Sequence, residues 1–351
     1  MNKIVMSAAV LAVLTLTTQA DNTVQKANIT TQENNKSESE GIIVTRENFQ
    51  KAEAIRNANN YIKLGADNKW TPFRKISPTG NKAPTVRMNF DTLYSVAVLD
   101  NSNNKIVITI PKGDVLRTVL VLDEEAYSLH YFQDAGEHEV VSKSPFLILI
   151  ARVGVKNYKN PADIEYAHKL QDGLKVSGQG TKPFNPTKYD EVSLAKLTKE
   201  LKKEFITEGK GIVVQGQFKD DVDEYKRLMT SAAAFGGMHD QINTYNNSPM
   251  LDPKKCYVTN FIDPKVRDFF SFTMYDEDGY LMDGNTAQNS YNMKPNADGT
   301  YTVHFNCTKD AINNLDSASR AYNYMIRTYG ASEMVKSGKW NPIKDTVVIE
   351  K

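Results

Sequence analysis

Residues 86–100 read VRMNFDTLYSVAVLD, and the fold is decided by how this stretch is read. Its first half is dense in polar groups: Arg87, Asn89, Asp91, Thr92, Tyr94 and Ser95 supply a guanidinium fork, an amide, a carboxylate and hydroxyls, interleaved with Met88, Phe90 and Leu93. Its second half, Val96 to Leu99, is uniformly apolar and stops at Asp100. A short apolar run closed by a polar residue reads as a strand buried on both faces. The polar half then lies at the entrance to that strand.

Working outward, the turn Asn101-Ser102-Asn103-Asn104 leads to a second run of strand character from Lys105 to Ile110, and Arg117 to Leu122 and Pro145 to Ala151 add two more. Short connections favour antiparallel neighbours, because a parallel return needs a crossover of about a dozen residues. Upstream, Thr45 can cap a helix whose apolar positions Phe49, Ala52, Ile55, Ala58 and Ile62 recur at helical spacing before Gly65. Pro72, Pro78-Thr79-Gly80 and Pro84 punctuate the connection back to the opening stretch. Residues 45–185 are therefore expected to form an N-terminal α/β domain, mostly antiparallel sheet with flanking helices.

Pro161 opens a helix to about Val176. Residues 186–248 read as a helical connector: Leu194, Leu197, Leu201 and Phe205 line one face of a helix from Asp190 to Phe205. A further helix runs from about Asp220 to Phe235, burying Val222, Tyr225, Met229 and Ala232 and stopping at Gly236-Gly237. Beyond Pro249 strand character returns at Tyr257 to Ile262, Phe269 to Tyr275, Tyr301 to Phe305, Tyr322 to Tyr329 and Thr346 to Ile349. Asp278-Gly279 and Asp298-Gly299 supply the positive backbone angles of tight turns. Residues 249–351 thus read as a C-terminal jelly-roll-like β-sandwich, and the whole chain as α+β.

The first twenty residues carry Lys3, an apolar run from Ile4 to Leu16 and the small-x-small pattern Thr18-Gln19-Ala20. That is a signal peptide, 1–20, so a periplasmic or secreted product with no membrane span after cleavage is expected. Residues 21–44 are polar and read as a flexible linker. Removing Lys3 with the leader leaves 42 basic against 42 acidic residues. No basic stripe with interleaved aromatics occurs, so no nucleic-acid partner is expected. Cys256 and Cys307 would meet an oxidising compartment; a disulfide between them and two separate buried thiols are equally compatible with their spacing.

Motifs of established chemistry are absent. There is no Gly-x-Ser-x-Gly elbow, no His-Glu-x-x-His helix and no phosphate-binding Gly-x-x-x-x-Gly-Lys. Gly209-Lys210-Gly211 lacks the third glycine of a dinucleotide fingerprint, since Val214 occupies it. His130, His138, His168, His239 and His304 are scattered without ligand spacing, and Asp276-Glu277-Asp278-Gly279 lacks the later oxygens of a calcium loop. No metal or cofactor is expected. In the opening stretch, Arg87 can bind a carboxylate or other anion, Asn89 and Tyr94 can hydrogen-bond a ligand, and Asp91 can act as acceptor or base. The competing structural reading pairs Arg87 with Asp91 in an internal network.

At these residues the chain resembles a bacterial two-domain family, domain of unknown function 1254 followed by domain of unknown function 1214. The resemblance rests on Arg87-Met88-Asn89-Phe90-Asp91-Thr92-Leu93-Tyr94-Ser95, Thr45-Arg46-Glu47-Asn48-Phe49, Ala232-Ala233-Ala234-Phe235-Gly236-Gly237, Phe270 to Asp276 with Asp278-Gly279, Asn296-Ala297-Asp298-Gly299 and Arg327-Thr328-Tyr329. Phe235 and Phe270 stand where the family usually shows tryptophan, Phe90 where a basic residue is common, and only Asn314-Leu315 survives of an Asn-Trp-Leu-Pro-like segment. The resemblance implies an N-terminal α/β part and a C-terminal jelly roll of the kind seen in carbohydrate-binding proteins, without an assigned activity.

The expected function is the binding of a small polar or saccharide-like ligand around Arg87, Asn89, Asp91 and Tyr94, completed by Arg327 and Tyr329 from the second domain. The alternatives are a metal-independent hydrolase or lyase using Asp91 or a nearby histidine as base, and an assembly protein that forms homo-oligomers.

Overall fold

The computed structural model describes residues 41–82, 87–208, 222–236 and 242–349. The expected signal peptide, most of the expected linker, Gly209-Lys210-Gly211, Gly237 and His239 lie outside the described residues.

The N-terminal part contains helix α1 (Phe49–Lys63) and strands β1 (Thr71–Pro72), β2 (Thr92–Asp100), β3 (Lys105–Ile110), β4 (Arg117–Leu122), β5 (Ser128–Phe132), β6 (Gly136–Val141) and β7 (Phe146–Gly154). Helix α2 (Pro161–Asp172), strand β8 (Lys175–Ser177) and helices α3 (Glu191–Glu208) and α4 (Glu224–Ala234) follow. The C-terminal part contains β9 (Asn243–Asn247), β10 (Cys256–Phe261), β11 (Phe269–Tyr275), β12 (Ala287–Asn289), β13 (Tyr301–Phe305), β14 (Asn314–Leu315), β15 (Asn323–Tyr329), helix α5 (Glu333–Lys336) and β16 (Val347–Ile349). The protein is mixed α+β and mostly sheet, with antiparallel pairing throughout its named strands except between β13 and β14.

The expected buried strand is β2, at the heart of a five-stranded sheet in the order β1-β2-β7-β4-β5. Its alternation decides what each face does. Val96 and Val98 share a face with Ile148, Ile150, Leu120 and Leu122, and this face packs on Ala54, Ile55, Ala58 and Tyr61 of α1. Ala97 and Leu99, with Leu147, Leu149, Val119 and Val121, face the other way onto Ile106, Ile108 and Ile110 of the small β6-β3-β8 sheet. Burying each large aliphatic side chain contributes about 1.5–3 kcal/mol, so a strand covered on both sides anchors both layers. Helices α3 and α4 pack on α1 through Phe49, Ala52, Leu194, Leu197, Leu201 and Leu228.

Sequence-based boundaries shift in three places. The helix from Pro161 ends at Asp172, because Lys175–Ser177 pairs with β3 instead of continuing it. Helix α4 starts at Glu224, where the Asp223 carboxylate accepts from Lys226 N. The first helix is not capped by Thr45; Thr45 N donates to the Asn48 side chain, and the helix begins at Phe49.

The C-terminal part is two four-stranded sheets, β14-β13-β10-β16 and β12-β11-β15-β9, packed face to face. Phe270, Phe272, Met274, Tyr324 and Ile326 fill the space between them with Phe261, Val303 and Phe305. A disulfide joins Cys256 and Cys307. Gly279 and Gly299 take φ of 88° and 80° in the two Asp-Gly turns. Among the described residues, no helix is long and apolar enough to cross a membrane.

Candidate functional site

Strand alternation also dictates what the outer face of the β12-β11-β15-β9 sheet carries. If Phe270, Phe272 and Met274 point into the sandwich, then Phe269, Ser271, Thr273 and Tyr275 point out, and cross-strand register adds the rest. Asn289, Ser271, Arg327 and Tyr245 form one row across four strands. This face packs against the end of the N-terminal sheet, where register aligns Tyr94, Arg152 and Thr118 in a second row.

The stretch that enters β2 lies between these rows. Asn89 turns the chain: its side-chain carbonyl accepts from the amides of Asp91 at 2.9 Å and Thr92 at 3.0 Å. Arg87 is buried at a φ of 59°, in the left-handed region. Its backbone amide donates to Gly279 O at 2.8 Å, its Nη1 donates to Asn323 Oδ1 at 2.8 Å, and its guanidinium lies 4.7 Å from the centre of the Tyr275 ring. Arg87 therefore does not pair with Asp91, contrary to the internal network that their proximity in sequence suggested. The reason is directional: the left-handed turn sends Arg87 toward β15, while Asp91 faces β11.

Asp91 accepts from Ser271 Oγ at 2.6 Å, and its backbone carbonyl accepts from Val155 N at 2.7 Å. Burial raises its pKa, opposed by the Arg327 cation and by hydrogen bonds from Ser271 and Asn289. Arg327 is fully buried; its Nη2 donates to Arg87 O at 2.9 Å and to the Tyr275 hydroxyl. Its Nε and Nη1 have no hydrogen-bond partner among the described residues. Tyr329 stacks on Phe269 at 4.3 Å, and burial, then the charge of Asp91, holds its phenol well above the usual range. Tyr94 is half-buried, and Asn89 Nδ2 lies 3.4 Å from its hydroxyl.

The structure thus gathers all six expected residues at one interface, but it adds groups that sequence reasoning missed. Arg152 is buried at the centre of the upper row, 5.4 Å from the Tyr94 ring centre. Its Nη2 donates to Gly236 O at 2.9 Å, and its Nη1 has no partner among the described residues. Burial opposes its charge, but the oxygens of Tyr94, Tyr245 and Tyr131 outweigh that and raise its pKa. Reciprocally, burial would raise the Tyr94 phenol, yet the Arg152 cation and the polar groups of Thr92 and Asn89 bring its pKa below the ordinary value. Tyr131 is pushed up to about 12 by burial. Its hydroxyl, Thr118 Oγ1 and Asn243 Nδ2 are likewise buried and make no well-formed hydrogen bond among the described residues, although Tyr131 and Thr118 lie within each other's reach, as do Asn243 and Tyr245. One signal was available in the sequence: Arg152 interrupts FLILIARVG, whose nine positions are all buried.

The four described histidines do not converge on this interface. His168 Nε2 bonds Arg74 O at 2.8 Å, His304 Nδ1 bonds Ile312 O at 2.7 Å, and His130 and His138 both stack on Phe132. Among the described residues, no group of three metal-ligating side chains comes together.

Residues 68–131 match the family described as protein of unknown function DUF1254. The match spans β2, β3, β4 and most of β5, including Arg87, Asn89, Asp91 and Tyr94. No curated protein matches the chain. Among solved structures, the chain is similar to the VPA0106 protein from Vibrio parahaemolyticus, with 17% identity, a TM-score of 0.65 and coverage of 87% of this chain and 98% of that one. It is also similar to an uncharacterized protein from Burkholderia cenocepacia, with 15% identity, a TM-score of 0.47 and coverage of 81% and 84%. The Vibrio likeness extends the shared fold over both parts of the chain.

Proposed function

We propose that the protein binds a small polar or saccharide-like ligand between the Tyr94-Arg152-Thr118 row and the Asn289-Ser271-Arg327-Tyr245 row. The observation that carries this reading is the set of buried polar atoms there, on Arg152, Arg327, Tyr131, Thr118 and Asn243, that make no well-formed hydrogen bond among the described residues and have at best one another within reach. A buried polar group left unpaired costs about 1–3 kcal/mol. A polar ligand meets several of them at once, and tyrosine rings offer it flat apolar faces.

In this reading the chain is an exported, periplasmic or secreted protein. Residues 249–351 form the jelly-roll-like second module, related to domain of unknown function 1214. A hydrolase or lyase reading draws on Asp91, whose raised pKa suits a general base. Turnover of a bound compound would favour it.

The test is a thermal-shift screen of the full chain against neutral sugars, sugar acids and small carboxylates. Binding raises the midpoint by mass action. Stabilisation that is lost in Tyr131→Phe or Asn243→Leu supports the interface as the site; a screen in which no compound moves the midpoint overturns the reading.

A further inference from the structure

We infer that the ligand of this interface carries a carboxylate and that Arg152 is its counter-charge. The inference rests on reading the interface as a ligand site, and it narrows the ligand from polar compounds in general to acids.

It follows from a comparison of three buried or nearly buried arginines. The cation of Arg87 is felt by Asp276, and that of Arg327 by Asp91. Arg152 differs. The groups acting on it are the phenols of Tyr94, Tyr245 and Tyr131, and no carboxylate is among its principal influences. No described carboxylate forms an ion pair with it, and it is only 7% exposed. A buried guanidinium without a counter-ion is costly by several kcal/mol, and proteins normally supply the missing charge nearby.

The geometry of Arg152 is that of a held donor with one end open. Gly236 O holds Nη2 at 2.9 Å, the Tyr94 phenol lies within reach of the guanidinium, and Nη1 makes no well-formed hydrogen bond among the described residues. Two further polar atoms lie on the same face of the sheet. Thr118 Oγ1 stands opposite Arg152 in register, and the Tyr131 hydroxyl belongs to the next strand. A carboxylate has two oxygens and accepts several hydrogen bonds, so it can use the guanidinium and a hydroxyl together. A neutral sugar hydroxyl would satisfy Nη1 but bring no negative charge to the guanidinium. Arg327, with Nε and Nη1 open on the facing sheet, would meet the polar body of the same molecule.

Two sources of this chemistry are distinguishable: a sugar acid and an aromatic acid. Isothermal titration calorimetry of the full chain with glucuronate, benzoate and neutral methyl glucoside separates them. At least one acid should bind at least tenfold more tightly than the glucoside, and whichever acid it is identifies the body that the tyrosines accept. Arg152→Gln should weaken that acid at least tenfold and any binding of the glucoside by much less, since only the acid loses its counter-charge, while Arg152→Lys, which keeps the charge, should retain part of the affinity. If Arg152→Gln does not fold, the wild-type preference for acid over glucoside and the Arg152→Lys value decide. Glucoside bound as tightly as the acids overturns the inference and leaves the ligand site in place. Failure of all three compounds to bind overturns the inference for both acids, and failure of the whole thermal-shift screen overturns the site itself.

Discussion

The Asp91 carboxylate accepts a 2.6 Å hydrogen bond from Ser271 Oγ, 180 positions further along the chain. A residue at the entrance to β2 is thereby fixed to the outer face of β11. With Arg87 on Asn323 and Tyr275 on Met88 O, it fastens one part of the chain to the other through polar contacts.

Ser271→Ala should therefore destabilise the protein by about 1–3 kcal/mol, because a buried carboxylate loses its hydroxyl donor with no water to replace it. Asp91→Asn in the same background should recover part of the loss. A double-mutant cycle in urea measures the coupling, and additive single-mutant effects would refute it.

The ionisation of Asp268 should make stability depend on pH in the acid range. Burial raises its pKa to about 6, against the nearby cations of Arg267 and Arg117, and its Oδ2 has no partner among the described residues. The folded protein then holds this proton more tightly than the unfolded chain does, so its contribution is favourable below the unfolded value of about 4 and is lost as pH rises toward about 6. Asp268→Asn should flatten this part of the profile and raise stability at pH 7 by about 1–3 kcal/mol. An unchanged slope between pH 4 and 6 in the variant would count against the assignment.

The phenol of Tyr94 should ionise before the other tyrosines of the interface. Arg152 and the surrounding polar groups bring it down, whereas Tyr131 and Tyr329 are pushed up by burial. In an ultraviolet titration, Tyr94→Phe should remove the earliest tyrosinate signal. If the early signal persists, the influence of Arg152 on Tyr94 is not as described.

Reduction of the Cys256–Cys307 disulfide should destabilise the protein by about 4 kcal/mol on loop-entropy grounds, given the sequence separation of 51. Denaturation with and without reductant measures it directly. No shift in the midpoint would mean that the sandwich holds the loop closed by itself.

Much of this was legible in the chain. The apolar half of residues 86–100 identified a doubly covered strand, because burial on two faces leaves no polar position to interrupt it. Asn243–Asn247 was not legible as a strand: asparagine is a poor strand former, and β9 exists because β15 offers it an unpaired edge. Ser128–Phe132 and Gly136–Val141 were missed because their polar, partly exposed residues lack strand alternation. For the site, sequence showed which residues gather but not how they face. Adjacent positions suggested that Arg87 and Asp91 pair, whereas the positive φ of Arg87 sends them to different strands. Arg152 was hidden because its neighbours in space, Tyr94 and Tyr245, are remote from it in the chain.

The two facing rows are completed at different times as the chain is synthesised. Tyr94, Thr118 and Arg152 leave the ribosome well before β15, so the first sheet can form while half of the interface has yet to be made. A chain truncated before β9 would lack the whole of the facing row. If the interface takes a ligand as proposed, binding awaits the synthesis of Arg327 as well as Arg152, and two separately expressed fragments can be scored for reassembly.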